Sequence, residues 1–245
     1  MGLADLHVHS IHSYDATATI SAILKHVADH TDLDCIAVTD HDNMDGVREA
    51  LTLGQRYGVE VVPGMEVSTA DGHLLALYID RPIPAGLPLA ETVLRIRALG
   101  GLCVAAHPTA WGTESLTFET IQAALLVPGV AGCLVGVEAY NGGLVYTREN
   151  LPVARRCAEL PLAQVANSDA HVLATIGACA SQYEGRSAAD LRRALLNRQT
   201  APLVGEGLTG LQVITSYIPH FLMRKLGWAP FSAGPDAPIN YARIA

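Results

Sequence analysis

The 245 residues are enough for one substantial core and for a single α/β barrel, so a second domain is not required. Apolar residues make up 50% of the chain and charged residues 16%, which excludes an intrinsically disordered protein. A net charge of -8 excludes a long electrostatic track for nucleic acid, although bound divalent cations would invert the local field for a small anion.

The first residues, Met1-Gly2-Leu3-Ala4-Asp5-Leu6-His7, lack the basic region and the long apolar stretch of a secretory leader. No run reaches the roughly 18 uncharged apolar residues of a spanning helix. A soluble, cytoplasmic protein without a transmembrane segment is expected. Short apolar runs predict strands at 3–9, 35–39, 60–67, 74–79, 102–106, 134–140 and 162–167. Stretches of helical period predict helices at 20–30, 44–57, 89–99, 118–126, 148–159 and 187–198. The Ser21 and Ser187 regions offer N-caps, and Gly58 and Gly100 offer stops. This alternation predicts a largely parallel sheet. Cys35, Cys103, Cys133, Cys157 and Cys179 are scattered among apolar neighbours and read as buried reduced thiols. Residues 1–205 are expected to form the main unit. Residues 206–245 change character and are expected to be an apolar tail, packed on the domain or at a homodimer contact, with an interfacial membrane helix as the competing reading.

Ligand-type side chains gather at the strand ends, where parallel α/β folds build their sites. His7 and His9 are two apart on a strand and so share a face. Asp15 follows in a loop. Asp40-His41-Asp42 closes the second strand, Glu66 closes the third, and His73 opens the next. His107-Pro108 and Asp169-Ala170-His171 end two later strands. Singly, each has an ordinary explanation: a strand-end Asp caps a helix, and a strand-end His is a satisfied core residue. Together, six of the ten histidines and three carboxylates at strand ends form the pattern of a metal cluster. His12 reads as an exposed loop residue, and His26 and His30 as surface residues of a helix.

The order His7-x-His9, Asp15, Thr39-Asp40-His41-Asp42, Gly64-x-Glu66, His107-Pro108 and Ser168-Asp169-Ala170-His171 resembles the PHP (polymerase and histidinol phosphatase) family over about residues 3–202. The resemblance implies an α/β fold, a distorted seven-stranded (β/α) barrel, and a site for two or three divalent metal ions. Manganese is favoured over zinc or iron, because Asp15 stands where some members carry His. His7, His9, Glu66 and Asp169 would bind one metal, and Asp15, His41 and His171 a second. Glu66 would bridge to a third, shared with His107 and His73. Asp40 and His171 are the candidate catalytic side chains. Asp40 would orient His41 or accept a proton, with a helix cap as its ordinary alternative. Asn141 and Arg148 are candidates for contacting a phosphate oxygen, and Arg148 is equally a helix-start residue.

The likeness is to the stand-alone small phosphoesterases. It implies hydrolysis of a small phosphate ester, a nucleotide-like phosphomonoester or bisphosphate, by a metal-bound hydroxide. Histidinol-phosphate phosphatase is an alternative. So is an amidohydrolase-type metal hydrolase, but its bridging lysine is missing, since Lys25 lies on a predicted helix and Lys225 in the tail. A non-catalytic metal-binding scaffold is the third alternative. Such scaffolds usually lose ligands, whereas all nine positions are filled here.

Overall fold

The computed structural model describes residues 1–111, 113–143, 150–205, 215, 218–231 and 240–243. The elements follow one another as β1 (Gly2–Val8), α1 (Ile20–His30), β2 (Cys35–Val38), α2 (Val47–Tyr57), β3 (Glu60–Thr69), β4 (Gly72–Leu77), α3 (Leu89–Ala98), β5 (Leu102–Ala105), α4 (Phe118–Leu125), β6 (Leu134–Asn141), α5 (Asn150–Cys157), β7 (Ala163–Asn167), β8 (Cys179–Tyr183), α6 (Ala188–Asn197) and β9 (Ala201–Val204). The seven expected strands are all present, and β8 and β9 add two more. All nine lie in one sheet, in the order β7-β6-β5-β4-β3-β2-β1-β8-β9.

The sheet is less parallel than its alternation predicts. β1–β2, β2–β3, β5–β6 and β6–β7 pair parallel, whereas β3–β4, β4–β5, β1–β8 and β8–β9 pair antiparallel. The cause is local. Only Ala70 and Asp71 separate β3 from β4, too few residues for a crossover helix, so the chain turns back as a hairpin.

The sheet curls until it is nearly closed. Beyond β7, Ala170 forms a parallel bridge with Val8, with His9 N donating to Ala170 O at 2.9 Å. Lower down, Leu6 N donates to Asn167 Oδ1 at 2.9 Å. One buried cluster contains Ala4, Leu6, Ala37, Val62, Leu75, Val104 and Val165 from the strands, with Leu191 and Leu195 of α6. Two more cover other parts of the sheet, one with α3 and α4 and one with α1. A barrel-like α/β fold results.

Thr19, rather than the Ser21 region, caps α1, its hydroxyl accepting from Ala22 N at 3.2 Å. Ser187 and Asp190 form a reciprocal capping box at α6, as the Ser187 region predicts. All five cysteines are buried and free. In the tail, α7 (Ile218–Lys225) precedes β10 (Trp228–Phe231), which pairs antiparallel with β11 (Asn240–Arg243). Among the described residues no helix is long and apolar enough to cross a membrane.

Candidate metal centre

All nine sequence-predicted ligands meet at one end of the sheet. β1 delivers His7 and leads to His9, and the loop that follows delivers Asp15; the residues after β2 deliver His41; β3 delivers Glu66; the residues past β5 and β7 deliver His107, Asp169 and His171. The hairpin completes the set: because β4 runs antiparallel, His73 at its start faces the same end as the others, beside Ser68 in register. Pairing of β1 with β2 slips between Asp5 and Val8, a bulge of the kind that re-aims side chains next to active sites.

Glu66 lies at the centre. Its Oε2 is 3.1 Å from His7 Nε2, 3.3 Å from His9 Nε2 and 3.2 Å from His41 Nδ1. Its Oε1 is 3.0 Å from His73 Nδ1 and 3.1 Å from His107 Nε2. Asp169 Oδ1 stands 3.4 Å from His7 Nε2 and 3.2 Å from His9 Nε2. Asp15 Oδ2 stands 3.0 Å from His171 Nε2 and 3.5 Å from His41 Nε2. Four overlapping groups have ligand atoms within 4.8 Å of one another: His9 with Asp15, His41 and His171; His7 with His9 and Glu66; His7 with His107 and Asp169; and His41 with Glu66 and His73. Geometry thus offers His107 to His7 and Asp169 as well as to Glu66.

The donor set fits divalent cations. His7 Nε2, both ring nitrogens of His9, His41 Nδ1, Glu66 Oε2 and His73 Nδ1 are buried and lack a hydrogen-bond partner, close as they lie to one another. Unmet buried polar atoms of this kind are costly, at about 1–3 kcal/mol each. Charge points the same way. Burial opposes a charge on His7 and His9. Asp169, Glu66 and Glu138 nevertheless drive His7 well above the usual histidine range, and the carboxylates of Asp169 and Glu66 close beside it push His9 up to about 10. Burial likewise opposes ionisation of Glu66, but the surrounding histidines, His7 first, hold its carboxyl well below the usual range. The pocket demands positive charge. Protons supply it without proper hydrogen-bond geometry, whereas cations held by imidazole and carboxylate would engage the orphaned atoms that face the centre.

The PHP domain profile matches residues 5–127, which is 123 of the 245 residues. The chain belongs to the PHP family. A PHP-associated profile matches residues 147–200. An uncharacterized protein of Methanocaldococcus jannaschii is 36% identical over 115 residues, covering 43% of this PHP chain and 67% of that one. A phosphoribosyl 1,2-cyclic phosphate 1,2-diphosphodiesterase of Eggerthella lenta is 36% identical over 106 residues, covering 41% of this chain and only 40% of its own. Among solved structures, a two-domain Bacteroides vulgatus protein containing a predicted PHP-like metal-dependent phosphoesterase superposes with a TM-score of 0.68 at 21% identity. The match covers 83% of this chain and 64% of that one, and the likeness is one of fold.

Around the PHP centre lies a ring of supporting groups, of which sequence reasoning missed the main one. Glu138, buried in β6, accepts from His107 N at 2.7 Å, Asn141 Nδ2 at 3.0 Å and Asn167 Nδ2 at 2.7 Å, and lies 2.9 Å from His7 Nδ1. Burial opposes its ionisation, yet His7 holds its carboxyl below the usual range. A carboxylate only accepts, so His7 carries a proton on Nδ1 and turns Nε2 to the centre. The signal in the sequence was a lone charge inside the apolar run Leu134-Val135-Gly136-Val137-Glu138-Ala139.

Other predicted roles change. Asp40 neither caps a helix nor orients His41: its two carboxylate oxygens accept from Ser10 N and Ser10 Oγ, at 2.6 and 2.7 Å. It anchors the loop after β1. Asn141 is buried, its amide donating to Glu138 and, at 3.3 Å, to Asp169 while its oxygen accepts from Gly143 N. Its polar atoms are engaged with the protein instead of standing free for a phosphate. Arg148 lies outside the described residues. His107 and Asp169 adopt left-handed backbone at φ 24° and 52°, a conformation of about 1–3 kcal/mol strain each that concentrates at functional sites. His12 is exposed, and His26 and His30 lie on α1 with ring centroids 5.2 Å apart and the rings tilted to each other.

Proposed function

We propose that this PHP chain is a metal-dependent phosphoesterase acting on a small phosphate ester, a nucleotide-like phosphomonoester or bisphosphate. The observation that carries the reading is the convergence of six imidazoles and three carboxylates, within which ring nitrogens of His7, His9, His41 and His73 and one oxygen of Glu66 are buried without hydrogen-bond partners. Two or three divalent ions, manganese favoured, would be held by His7, His9, Glu66 and Asp169, by Asp15, His41 and His171, and by Glu66, His73 and His107. When bound, such ions lower the pKa of water and stabilise charge on a transferring phosphoryl group.

The chain's own residues divide the remaining work. Glu138 fixes the tautomer of His7. Asn141 steadies Asp169. His171 has Nδ1 at 2.9 Å from the Asp169 carbonyl, which holds a proton there and leaves Nε2 facing Asp15. With 20% of its side chain exposed, His171 is the residue of the set best placed to touch a substrate. Burial opposes ionisation of Asp15, but the imidazoles of His171 and His41 beside it keep its carboxyl far below the usual range, so it stays an anion. Tyr14, 71% exposed, stacks with its ring centroid 4.9 Å from that of His41 and offers an aromatic face at the rim, which supports a nucleotide-like substrate. Arg155 and Arg156 of α5 are exposed, and Arg156 is tied to Glu119 at 2.8 Å, so neither extends a basic track for a polymer. A cyclic phosphodiester is the second reading, favoured by the Eggerthella lenta relative.

The test is turnover by chelator-stripped protein, with and without added Mn²⁺, on phosphomonoesters, bisphosphates, a cyclic phosphodiester and short and long single strands. The stripped protein is expected to be inactive and to recover with Mn²⁺ on a small ester. Unchanged turnover after verified metal removal would overturn the metal reading. A strong preference for the long strand, with affinity falling steeply in salt, would overturn the small substrate.

A further inference from the structure

Arg224 lies outside both stretches that match the family, residues 5–127 and 147–200, yet its guanidinium reaches the rim of the metal centre. Nη1 donates to Ala16 O, and Nη2 donates to Ile11 O at 2.7 Å. These two carbonyls flank the loop between β1 and α1, which closes on itself where Ile11 N donates to Ala18 O at 2.7 Å. Inside that loop, Ser13 Oγ donates to Asp15 Oδ1 at 2.8 Å, and Asp15 Oδ2 faces His171 and His41. The other two carboxylates are held differently. Glu66 sits within β3, and Asp169 follows β7 closely and is steadied by Asn141. Asp15 depends on the shape of a loop.

We propose that Arg224 is a positioning residue for Asp15. Resting on the metal-centre reading above, the C-terminal segment straps this loop at both ends and so sets how tightly the subsite of His9, Asp15, His41 and His171 holds its cation. A guanidinium suits the task, because its planar fork fixes the separation of two acceptors, which the point charge of a lysine does not. A loop ordered in advance loses less conformational freedom when a ligand arrives, and that difference returns as affinity. The strap acts on one subsite only. Neither Ile11 nor Ala16 belongs to the strands that carry His7, Glu66 and His73.

The experiment uses the full chain as wild type, Arg224→Ala, Arg224→Lys and, as a control on the same helix, Lys225→Ala. Amide hydrogen exchange is measured on metal-free protein. Mn²⁺ binding is then followed by calorimetry, with elemental analysis of the loaded protein. In Arg224→Ala, exchange over residues 11–17 is expected to rise at least tenfold while β1 and β3 stay protected, and one class of Mn²⁺ site is expected to weaken about tenfold or more with the others unchanged. Arg224→Lys should fall between, and Lys225→Ala should match wild type. If the alanine variant also loosens β1 and β3, the lysine variant decides: wild-type exchange and affinity there overturn the strap. Wild-type behaviour of Arg224→Ala, or equal weakening of every site, overturns it too. A wild-type protein that binds no Mn²⁺ would instead defeat the metal reading itself.

Discussion

Every partner of Glu138 is a donor. Oε1 faces His7 Nδ1 and Asn167 Nδ2, and Oε2 faces His107 N and Asn141 Nδ2. Glutamine has nearly the same shape but would turn an NH₂ group toward one of these pairs, setting donor against donor. Glu138→Gln is therefore expected to weaken metal binding by about 10–100-fold, the range found for groups that orient metal ligands. Metal titration of the folded variant checks this, and wild-type affinity would show that Glu138 only fills space. Glu66→Gln should act differently. Because His7, His9, His41, His73 and His107 all lie within 3.0–3.3 Å of its two oxygens, loss of the charge should reduce the number of metals bound and not merely their affinity. Elemental analysis showing a full complement with wild-type turnover would contradict a bridging role.

At the scale of elements, the β3–β4 hairpin matters most. Gly72 begins β4 at φ 134°, and a Cβ there would run into the backbone of Ser115 and Leu116. The next residue is His73, whose N–H donates to Glu114 O at 3.0 Å, while Ser115 Oγ lies 3.1 Å from His107 Nδ1. Gly72→Ala should therefore displace two candidate ligands at once and lower stability by at least the 1–3 kcal/mol typical of overpacking and of unfavourable backbone. Thermal denaturation and metal content measured together would test it; a variant with unchanged melting and full metal content would refute it. The same hairpin marks where the sequence was hard to read. Strands β1 to β7 were legible because each carries a short buried apolar run. Ser68-Thr69 and Gly72-His73 read as loop, because cross-strand pairing, not composition, makes them strand. β8 and β9 escaped notice because Cys-Ala-Ser-Gln-Tyr is mixed in polarity and Ala-Pro-Leu-Val is short and largely exposed. The candidate ligands were legible by residue type at strand ends. The supporting groups were not, since Glu138 and Asp40 take their roles from Asn167, His107 and Ser10, at least 29 positions away along the chain.

At the scale of the whole molecule, the buried thiols report on the integrity of the fold. Burial pushes the thiols of Cys35, Cys157 and Cys179 up to about 12, so almost no thiolate exists at neutral pH. Native protein is expected to resist alkylation at these three positions and to label fully in denaturant. Rapid labelling of native protein, read by mass spectrometry, would mean that the barrel opens readily.

The junction of Val8 with Ala170 carries a consequence for biosynthesis. His7 and His9 leave the ribosome before Asp169 and His171, which follow some 160 residues later. At about 5–20 residues per second, the early pair waits roughly 8–32 seconds for its partners. During that interval the nascent chain carries partial sets of imidazoles and carboxylates, able to capture a passing ion by affinity alone. Only closure of the ring imposes geometry. A cation held by residues from both ends of the sheet would therefore be enclosed only late, when Ala170 docks beside Val8.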